Sequence, residues 1–429
     1  MLTPDQDQML TRTGPGTPMG NLFRRYWIPA FLSEELPEPD CAPVRVQLLS
    51  ERLIAFRDSQ GRVGLVDEFC RHRRASLWFG RNESNGLRCA YHGWKYDVTG
   101  QCIDIPSEPP GSTFCKDVTI AAYPCVEKGG AVWTYMGPAK LRPAFPEFEW
   151  ALVPAPHRFV SKRLQECNYM QAMEGGIDSS HVSFLHRYTM SHDPMFRHAK
   201  QSHQYNLGDT APQFEVVESD GGLYIGVRRN TGDGRYYWRI TQWVMPSFTL
   251  IPPRGDHPIG GHCWVPIDDE NCWVFSSNHH VTRPLTVEER EAVHGGAGIH
   301  APLIPGTYRT VANRANDYLM DRQAQKEHRT FSGVAGFAMQ DASVQESMGP
   351  IQDRTKENLV GTDNGVIMAR HRLLRAAKAL AEKGVAPPAV DPAVQRVRSV
   401  AIILPPDKAF KEAAKDALRP VPGSPHATV

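Results

Sequence analysis

The 429-residue sequence has almost no net charge, with 48 lysines and arginines against 47 aspartates and glutamates. Binding nucleic acid or an anionic membrane through a general electrostatic field takes a strong basic excess, so neither partner is expected. No run reaches the roughly 18 apolar residues that a membrane helix needs. The start, MLTPDQDQML, places Asp5 and Asp7 where a secretory leader carries basic residues and then an apolar stretch, which points to the cytoplasm. Nine cysteines, an odd number scattered from 41 to 272, do not suggest a disulfide framework. A glycine-rich dinucleotide fingerprint, an internal repeat and a low-complexity tract are also missing. What remains is ordinary globular usage, 41% hydrophobic and 22% charged, long enough for two or three folded domains.

Glycine and proline, 35 of each, are plentiful and favour turns and short strands. VRVQLLS (44–50) and RLIAFRD (52–58) alternate like strands, SQGR is a turn, and VGLVDEF (63–69) is a third strand, so a small antiparallel β domain is expected. AVWTYMGP (131–138) closes it, after a proline-rich loop at 106–114. Beyond about residue 150, helical patterning in ECNYMQAMEGGIDSSHVSFLH alternates with long strand-like runs such as YYWRITQWVMPSFTLIPP. The expected class is α+β, with a segment 1–43, a β domain over 44–150, a mixed domain over 151–384 and an extension over 385–429. VIMARHRLLRAAKALAEKG (366–384) predicts a helix stopped by glycine, and the proline-bearing extension is expected to wrap the surface.

Two Cys-His pairs carry the first chemical signal. Cys70-Arg-His72 and Cys89-Ala-Tyr-His92 offer two thiolates and two imidazoles from two loops of the β domain. Zinc sites usually pair Cys with Cys and His with His, whereas here each loop contributes one of each. That split suits a [2Fe-2S] cluster with two thiolates on one iron and two imidazoles on the other; structural zinc is the competing reading.

A second set lies in GGIDSSHVSFLH. Asp178 and His181 share a helix face at i, i+3, but His186 at i, i+5 does not, so it needs a widened turn or the helix end to converge. Two imidazoles with one carboxylate make the 2-His-1-carboxylate face that leaves positions open on Fe(II). Alone, such a pair reads first as structural.

CRHRRASL and CAYHGWKYDVTGQC resemble the two cluster loops of Rieske proteins of the ring-hydroxylating type, and that pair followed by D-x2-H-x4-H resembles the large subunit of Rieske non-haem iron oxygenases. LTRTGPGTPMGNLFRRYWIPA, EELPEPDCAPVRV, NYMQAMEGGIDSSHVSFLHR, WRITQWVMPSFTLIPPRGDHPI and QESMGPIQDRTKENL extend the likeness to roughly residues 9–384, within the phthalate 4,5-dioxygenase group. The resemblance implies that Cys70, His72, Cys89 and His92 hold a Rieske cluster. It implies that His181, His186 and a distal aspartate hold Fe(II), and FAMQDASVQESMGP selects Asp341 over Asp317 and Asp321 of NDYLMDR. Asp178 becomes a bridge from a metal-bound histidine to a Rieske histidine of a neighbouring subunit, which makes a trimer or a stack of trimers part of the mechanism. Glu174 occupies a position often filled by Asn near the iron, against a plain surface acid. One departure stands out: Arg74 replaces a glycine usual in the first loop. The implied architecture joins an antiparallel Rieske domain to a helix-grip-like catalytic domain with a large antiparallel sheet.

The implied activity is that of a terminal oxygenase using O2 and electrons from a separate reductase carrying flavin and an iron-sulfur centre. It acts by ring cis-dihydroxylation or by O-demethylation of an aromatic carboxylate. A carboxylate substrate calls for a guanidinium in an apolar pocket. Arg239, mid-strand in YYWRITQW, is the candidate; Arg254 is expected to brace a loop, Arg228 and Arg229 must face opposite sides, so that one of them can point inward, and 197–206, with His198, Gln201 and His203, is a candidate wall. The rival readings are a non-catalytic Rieske electron carrier and a zinc-structured binding protein.

Overall fold

Four antiparallel sheets organise the computed structural model, which describes all residues except 1, 197–199, 254, 420, 422–423 and 425–429. The alternating runs of the β domain become strands Val44–Leu48, Glu51–Arg57 and Val63–Asp67, joined at the edge by Ala122–Tyr123. A second small sheet runs Arg81–Glu83, Gly86–Arg88, Lys95–Tyr96 and Cys102–Asp104. The first Cys-His loop follows Val63–Asp67 and is closed by a bridge between Phe69 and Ser76, while the second spans the turn from Gly86–Arg88 to Lys95–Tyr96. Both loops therefore project from strand ends of one domain.

The N-terminal segment serves both halves of the chain. Trp27–Leu32 pairs with Ala131–Tyr135, whereas helices Pro4–Thr11 and Pro18–Phe23 lie against the long helix Asn364–Lys383. Phe23 meets Tyr169 edge to face at 4.9 Å inside a core that also holds Leu22, Met173, Trp243 and Leu373. Each such buried side chain stabilises the fold by roughly 1.5–3 kcal/mol. Asn364–Lys383 forms as expected and ends on Gly384, whose left-handed φ of +64° costs least in a residue without Cβ.

The large sheet runs Arg158–Gln165, Cys272–His279, Ile259–Pro266, Phe248–Ile251, Tyr236–Val244, Gly222–Asn230 and Gln213–Glu218. Along Tyr236–Val244 the side chains alternate: Trp238 and Ile240 face one side, Arg239 and Trp243 the other. The extension was expected to wrap the surface, but Val400–Leu404 pairs with Tyr236–Ile240 and enters this sheet, and Phe410 and Leu418 are buried on Trp238 and its neighbours. The apolar back face of that strand explains the difference, since it requires cover. Among the described residues no helix is long and apolar enough to cross a membrane.

Helix Tyr169–Ile177 crosses the front of the sheet, capped by Asn168. Its last turn approaches its neighbours so closely that a Cβ on Gly176 would stand 2.2 Å from the Trp264 ring, so only glycine allows the contact. Glu174 on this helix is neither an iron neighbour nor a surface acid. It is a buried hub, held by Arg354 at 3.2 Å and Arg370 at 2.7 Å, and Arg354 also pairs with Asp7 at 3.1 Å. Two buried guanidinium groups arriving from distant segments account for that correction.

Candidate metal centre

The helix stops at Ile177 because Asp178 turns extended, at φ −80° and ψ 136°. Its carboxylate then caps the next turn, Oδ1 accepting from the Ser180 N–H at 2.7 Å and Oδ2 from the His181 N–H at 3.3 Å. Asp178 and His181 are thus neighbours through a turn rather than across a helix face. His181–Ser183 forms one tight 3-10 turn, and the Leu185 N–H bonds back to the His181 carbonyl at 2.8 Å. This winding brings His186 round until the two Nε2 atoms stand 3.2 Å apart. Asp341, from helix Phe337–Ser347, places Oδ1 3.3 Å from His186 Nε2 and 3.6 Å from His181 Nε2. Asp317 and Asp321 stay exposed elsewhere, and Asp321 caps helix Arg322–Lys326.

The far side of each imidazole is committed. His181 Nδ1 donates to Asp178 Oδ2 at 3.1 Å, and His186 Nδ1 donates to Gln340 Oε1 at 2.8 Å. The Gln340 amide cannot turn over, because its nitrogen donates to Thr189 Oγ1 and the Val334 carbonyl at 2.7 and 3.0 Å. Both Nε2 atoms therefore present lone pairs to each other and to a carboxylate, an arrangement that a metal cation satisfies. Burial alone would raise the Asp341 carboxyl, but His186 and His181 hold it below the usual range, so it is ionised. Burial opposes a proton on His181, and the Asp178 hydrogen bond and charge outweigh it and raise its pKa. Gln340 carried no sequence signal beyond its position beside Asp341.

The cluster loops are near copies of each other. Cys70 N–H bonds the Ala75 carbonyl at 3.0 Å and Arg74 N–H returns to the Cys70 carbonyl at 2.9 Å; Cys89 and Trp94 make the same bond at 2.8 Å, and Gly93 returns to Cys89 at 3.0 Å. Arg74 and Gly93 hold equivalent left-handed positions, at φ +61° and +76°. The Arg74 guanidinium turns aside to Asp67 at 3.3 Å and over the Phe69 ring. Cys70 and Cys89 are buried, while His72 and His92 stand outside them with ring centroids 4.4 Å apart, His72 stacked on Trp94. The thiols interact: hydrogen bonding to Cys70 draws Cys89 down to about 6, and Cys70 is raised. Two inner sulfurs and two outer imidazoles match the donor arrangement of a [2Fe-2S] cluster with mixed ligation.

A cavity adjoins the His-His-Asp set, lined by Asp178, Val182, Trp264 and Phe337 among others. Arg239 borders it, buried, with Nη1 on Ser179 Oγ at 3.1 Å and Nε without a partner among the described residues. Of the adjacent arginines, Arg229 faces inward and holds the Ser179 carbonyl at 2.7 Å, while Arg228 bonds Gln213 outside. Arg163 and His262 also line the cavity and had no sequence signal. Arg254 and His198 lie outside the described residues, as does the Gln201 side chain; His203 is buried but does not line the cavity among the described residues.

Residues 26–124 match the Rieske [2Fe-2S] domain, and 134–418 match the LigXa C-terminal domain like family. The 3-chlorobenzoate-3,4-dioxygenase oxygenase subunit of Comamonas testosteroni is 37% identical over 92% of this chain and 93% of its own length. The phthalate 4,5-dioxygenase oxygenase subunit of Pseudomonas putida is 38% identical over 88% and 86%. The 5,5'-dehydrodivanillate O-demethylase oxygenase subunit of a Sphingobium species is 32% identical over 92% and 85%. In fold, the chain is similar to dicamba monooxygenase, with a TM-score of 0.58 over 84% of this chain and 99% of that one at 19% identity.

Proposed function

This chain belongs to the Rieske non-haem iron oxygenases as an oxygenase-component subunit, and from that premise we propose that it oxidises an aromatic carboxylate at the His181-His186-Asp341 centre. The observation that carries the reading is the convergence of two Nε2 atoms and one carboxylate oxygen beside a cavity holding an unpaired buried arginine. A non-catalytic carrier has no use for such a second centre.

When bound, the Rieske cluster supplies electrons and the mononuclear iron supplies oxygen activation. Cys70 and Cys89 would hold one cluster iron and His72 and His92 the other. Asp178 and Gln340 keep the Nδ1 protons of His181 and His186 in place, so both Nε2 atoms stay available as ligands. Arg239, steadied by Ser179, offers Nε to a substrate carboxylate, while Phe337, Val182 and Trp264 exclude water around the ring. Electrons come from a separate donor protein, for which a flavin and iron-sulfur reductase is our reading. Exposed Trp78, Phe79, Tyr91 and Phe114 surround the cluster loops and support a second copy of the chain covering them, in a trimer or stacked trimers. Asp178, a quarter exposed, would then reach the neighbour's cluster. Nine free cysteines suit a reducing cytoplasm.

The test is product analysis. The reduced protein with O2, its donor and a panel of benzoates, phthalates and methoxylated aromatic acids gives either a cis-diol or formaldehyde with a new phenol. Metal analysis of the same sample returns about three irons per chain, where a carrier gives about two. Arg239→Met raises KM for carboxylates by roughly tenfold or more, since a charged hydrogen bond contributes about 1.5–3 kcal/mol. No turnover of any aromatic acid by fully loaded protein overturns the reading.

A further inference from the structure

Among the described residues one side-chain amide borders the metal cavity, that of Gln345. It stands four residues beyond Asp341 on helix Phe337–Ser347. Side chains at that spacing leave the same helix face one turn apart, with Cβ atoms about 5–6 Å from each other. Phe337, four residues before Asp341, lines the cavity as well. The helix therefore offers the cavity a ring, a carboxylate and an amide on successive turns. The ring excludes water and the carboxylate is a metal ligand, which leaves the amide without a task.

That amide is held in a fixed direction. Its Oε1 accepts from Gln165 Nε2 at 2.6 Å, and the Gln345 carbonyl accepts from Gln171 Nε2 at 3.0 Å, which ties this end of the helix to helix Tyr169–Ile177. With Oε1 taken, Nε2 is left as a donor, and it makes no hydrogen bond among the described residues. Nε2 lies against Gly175, another residue of the cavity wall, where a Cβ would stand 2.0 Å from it. Only glycine gives the amide this room. A donor on a buried residue is costly to leave without an acceptor, and Gln345 is buried. The carboxylates of the cavity, Asp178 and Asp341, are already engaged by histidines. The acceptor for Nε2 therefore has to come from an occupant of the cavity.

We propose that Gln345 Nε2 is the hydrogen-bond donor to the small exogenous ligand that completes the coordination of an iron held by His181, His186 and Asp341, which makes Gln345 a further catalytic residue. Two imidazoles and one carboxylate leave positions open on the metal, and a ligand that enters there carries negative charge on its exposed atoms. A fixed N–H aimed at that charge stabilises it without reorganisation. This role rests on the reading of the three residues as an iron centre, and it concerns the iron's own small ligand and not the aromatic acid. Gly175 and Gln165 act through Gln345 as positioning residues, one by leaving space and the other by orienting the amide.

The experiment measures azide binding at pH 8 to iron-loaded, oxidised protein, by calorimetry and by the electron paramagnetic resonance of the mononuclear iron, with iron content determined for every sample. Gln345→Leu is expected to hold its iron and to bind azide about tenfold more weakly than wild type, the loss of one hydrogen bond to an anion. Gly175→Ala, whose Cβ displaces the amide, is expected to lose about as much, and Gly175→Ala combined with Gln345→Leu no more than either alone. Gln345→Glu still accepts from Gln165 but turns an ionised oxygen towards the ligand, so azide binds no better than in Gln345→Leu. Wild-type affinity in Gln345→Glu would mark the side chain as a mere brace and overturn the proposal. Unchanged azide affinity in Gln345→Leu overturns it too and leaves the oxygenase reading intact. A wild-type chain that takes up no iron beyond the cluster removes that reading as well. If Gln345→Leu sheds its iron, Gly175→Ala alone decides; shedding in both makes the amide a support for Asp341 and not a donor, which also overturns the proposal.

Discussion

Gln340 holds its side-chain oxygen 2.8 Å from Nδ1 of His186, and two further hydrogen bonds from its amide nitrogen prevent it from turning over. The other iron-facing histidine, His181, has a carboxylate in the same place. Partners of this kind fix the tautomer of a metal-binding imidazole, and losing one typically weakens metal binding by about 10–100-fold. Gln340→Leu is expected to lose mononuclear iron to a chelator at about that ratio relative to wild type, while cluster absorbance is unchanged. Gln340→Glu, which still offers an oxygen acceptor, keeps the iron. Wild-type retention in Gln340→Leu would show that His186 needs no such support.

Asp178 has a different task from Asp341 although both touch His181. Asp178→Asn keeps one oxygen for the Ser180 N–H while its amide nitrogen faces His181, so the turn and the Rieske cluster persist and the mononuclear site is loaded with excess Fe(II) for the measurement. The negative charge that would link His181 to a neighbouring cluster is gone. Turnover is therefore abolished, and a pre-reduced cluster stays reduced when substrate and O2 are added. Normal activity in this variant would refute the bridge.

How much of this was legible beforehand follows from sequence distance. The Cys-His pairs and Asp178, His181 and His186 are close in the chain, so ligand spacing marks them directly. Asp341 is remote and became visible only through resemblance to a family segment. Arg163 and His262 meet through strand register across Arg158–Gln165, Cys272–His279 and Ile259–Pro266, which residue spacing does not encode. Glu174 was misread because Arg354 and Arg370, which make its burial tolerable, come from distant segments. The extension was expected from its prolines to wrap the surface, yet Val400–Leu404 is an ordinary apolar strand whose partner lies far upstream.

The matched loop positions Arg74 and Gly93 differ in what they tolerate. Both have left-handed backbone, which costs a residue with Cβ roughly 1–2 kcal/mol. Around Gly93 an added Cβ would also stand 3.0 Å from Pro106 Cγ. Gly93→Ala is expected to lower the Rieske-domain melting midpoint, followed by bleaching of the cluster's visible absorbance. Arg74→Gly relieves the strain but loses the contacts to Asp67 and Phe69, so its stability stays within about 1 kcal/mol of wild type. Bleaching earlier in Arg74→Gly than in Gly93→Ala would reverse this account.

The C-terminal strand is tied down by Arg398, whose Nε lies 2.7 Å from Glu149 Oε2, with His279 Nε2 3.7 Å from the same oxygen. Burial by itself would raise the Glu149 carboxyl, but Arg398 and His279 bring it down to about 2, against about 4.3 in an unfolded chain. Through that interval the unfolded state binds more protons than the folded one, so stability rises with pH there. The contribution is complete above roughly pH 4.5 and is lost as the pH falls towards 2, and it amounts to something on the order of 3 kcal/mol. Glu149→Gln cannot ionise and lacks this dependence. Urea midpoints of the two proteins should therefore differ most near pH 6 and converge as the pH falls to about 3. Metal loss in acid affects both proteins alike and drops out of the difference. A gap that stays constant with pH would mean that the ionised Glu149 does not anchor Arg398 and the strand that follows it.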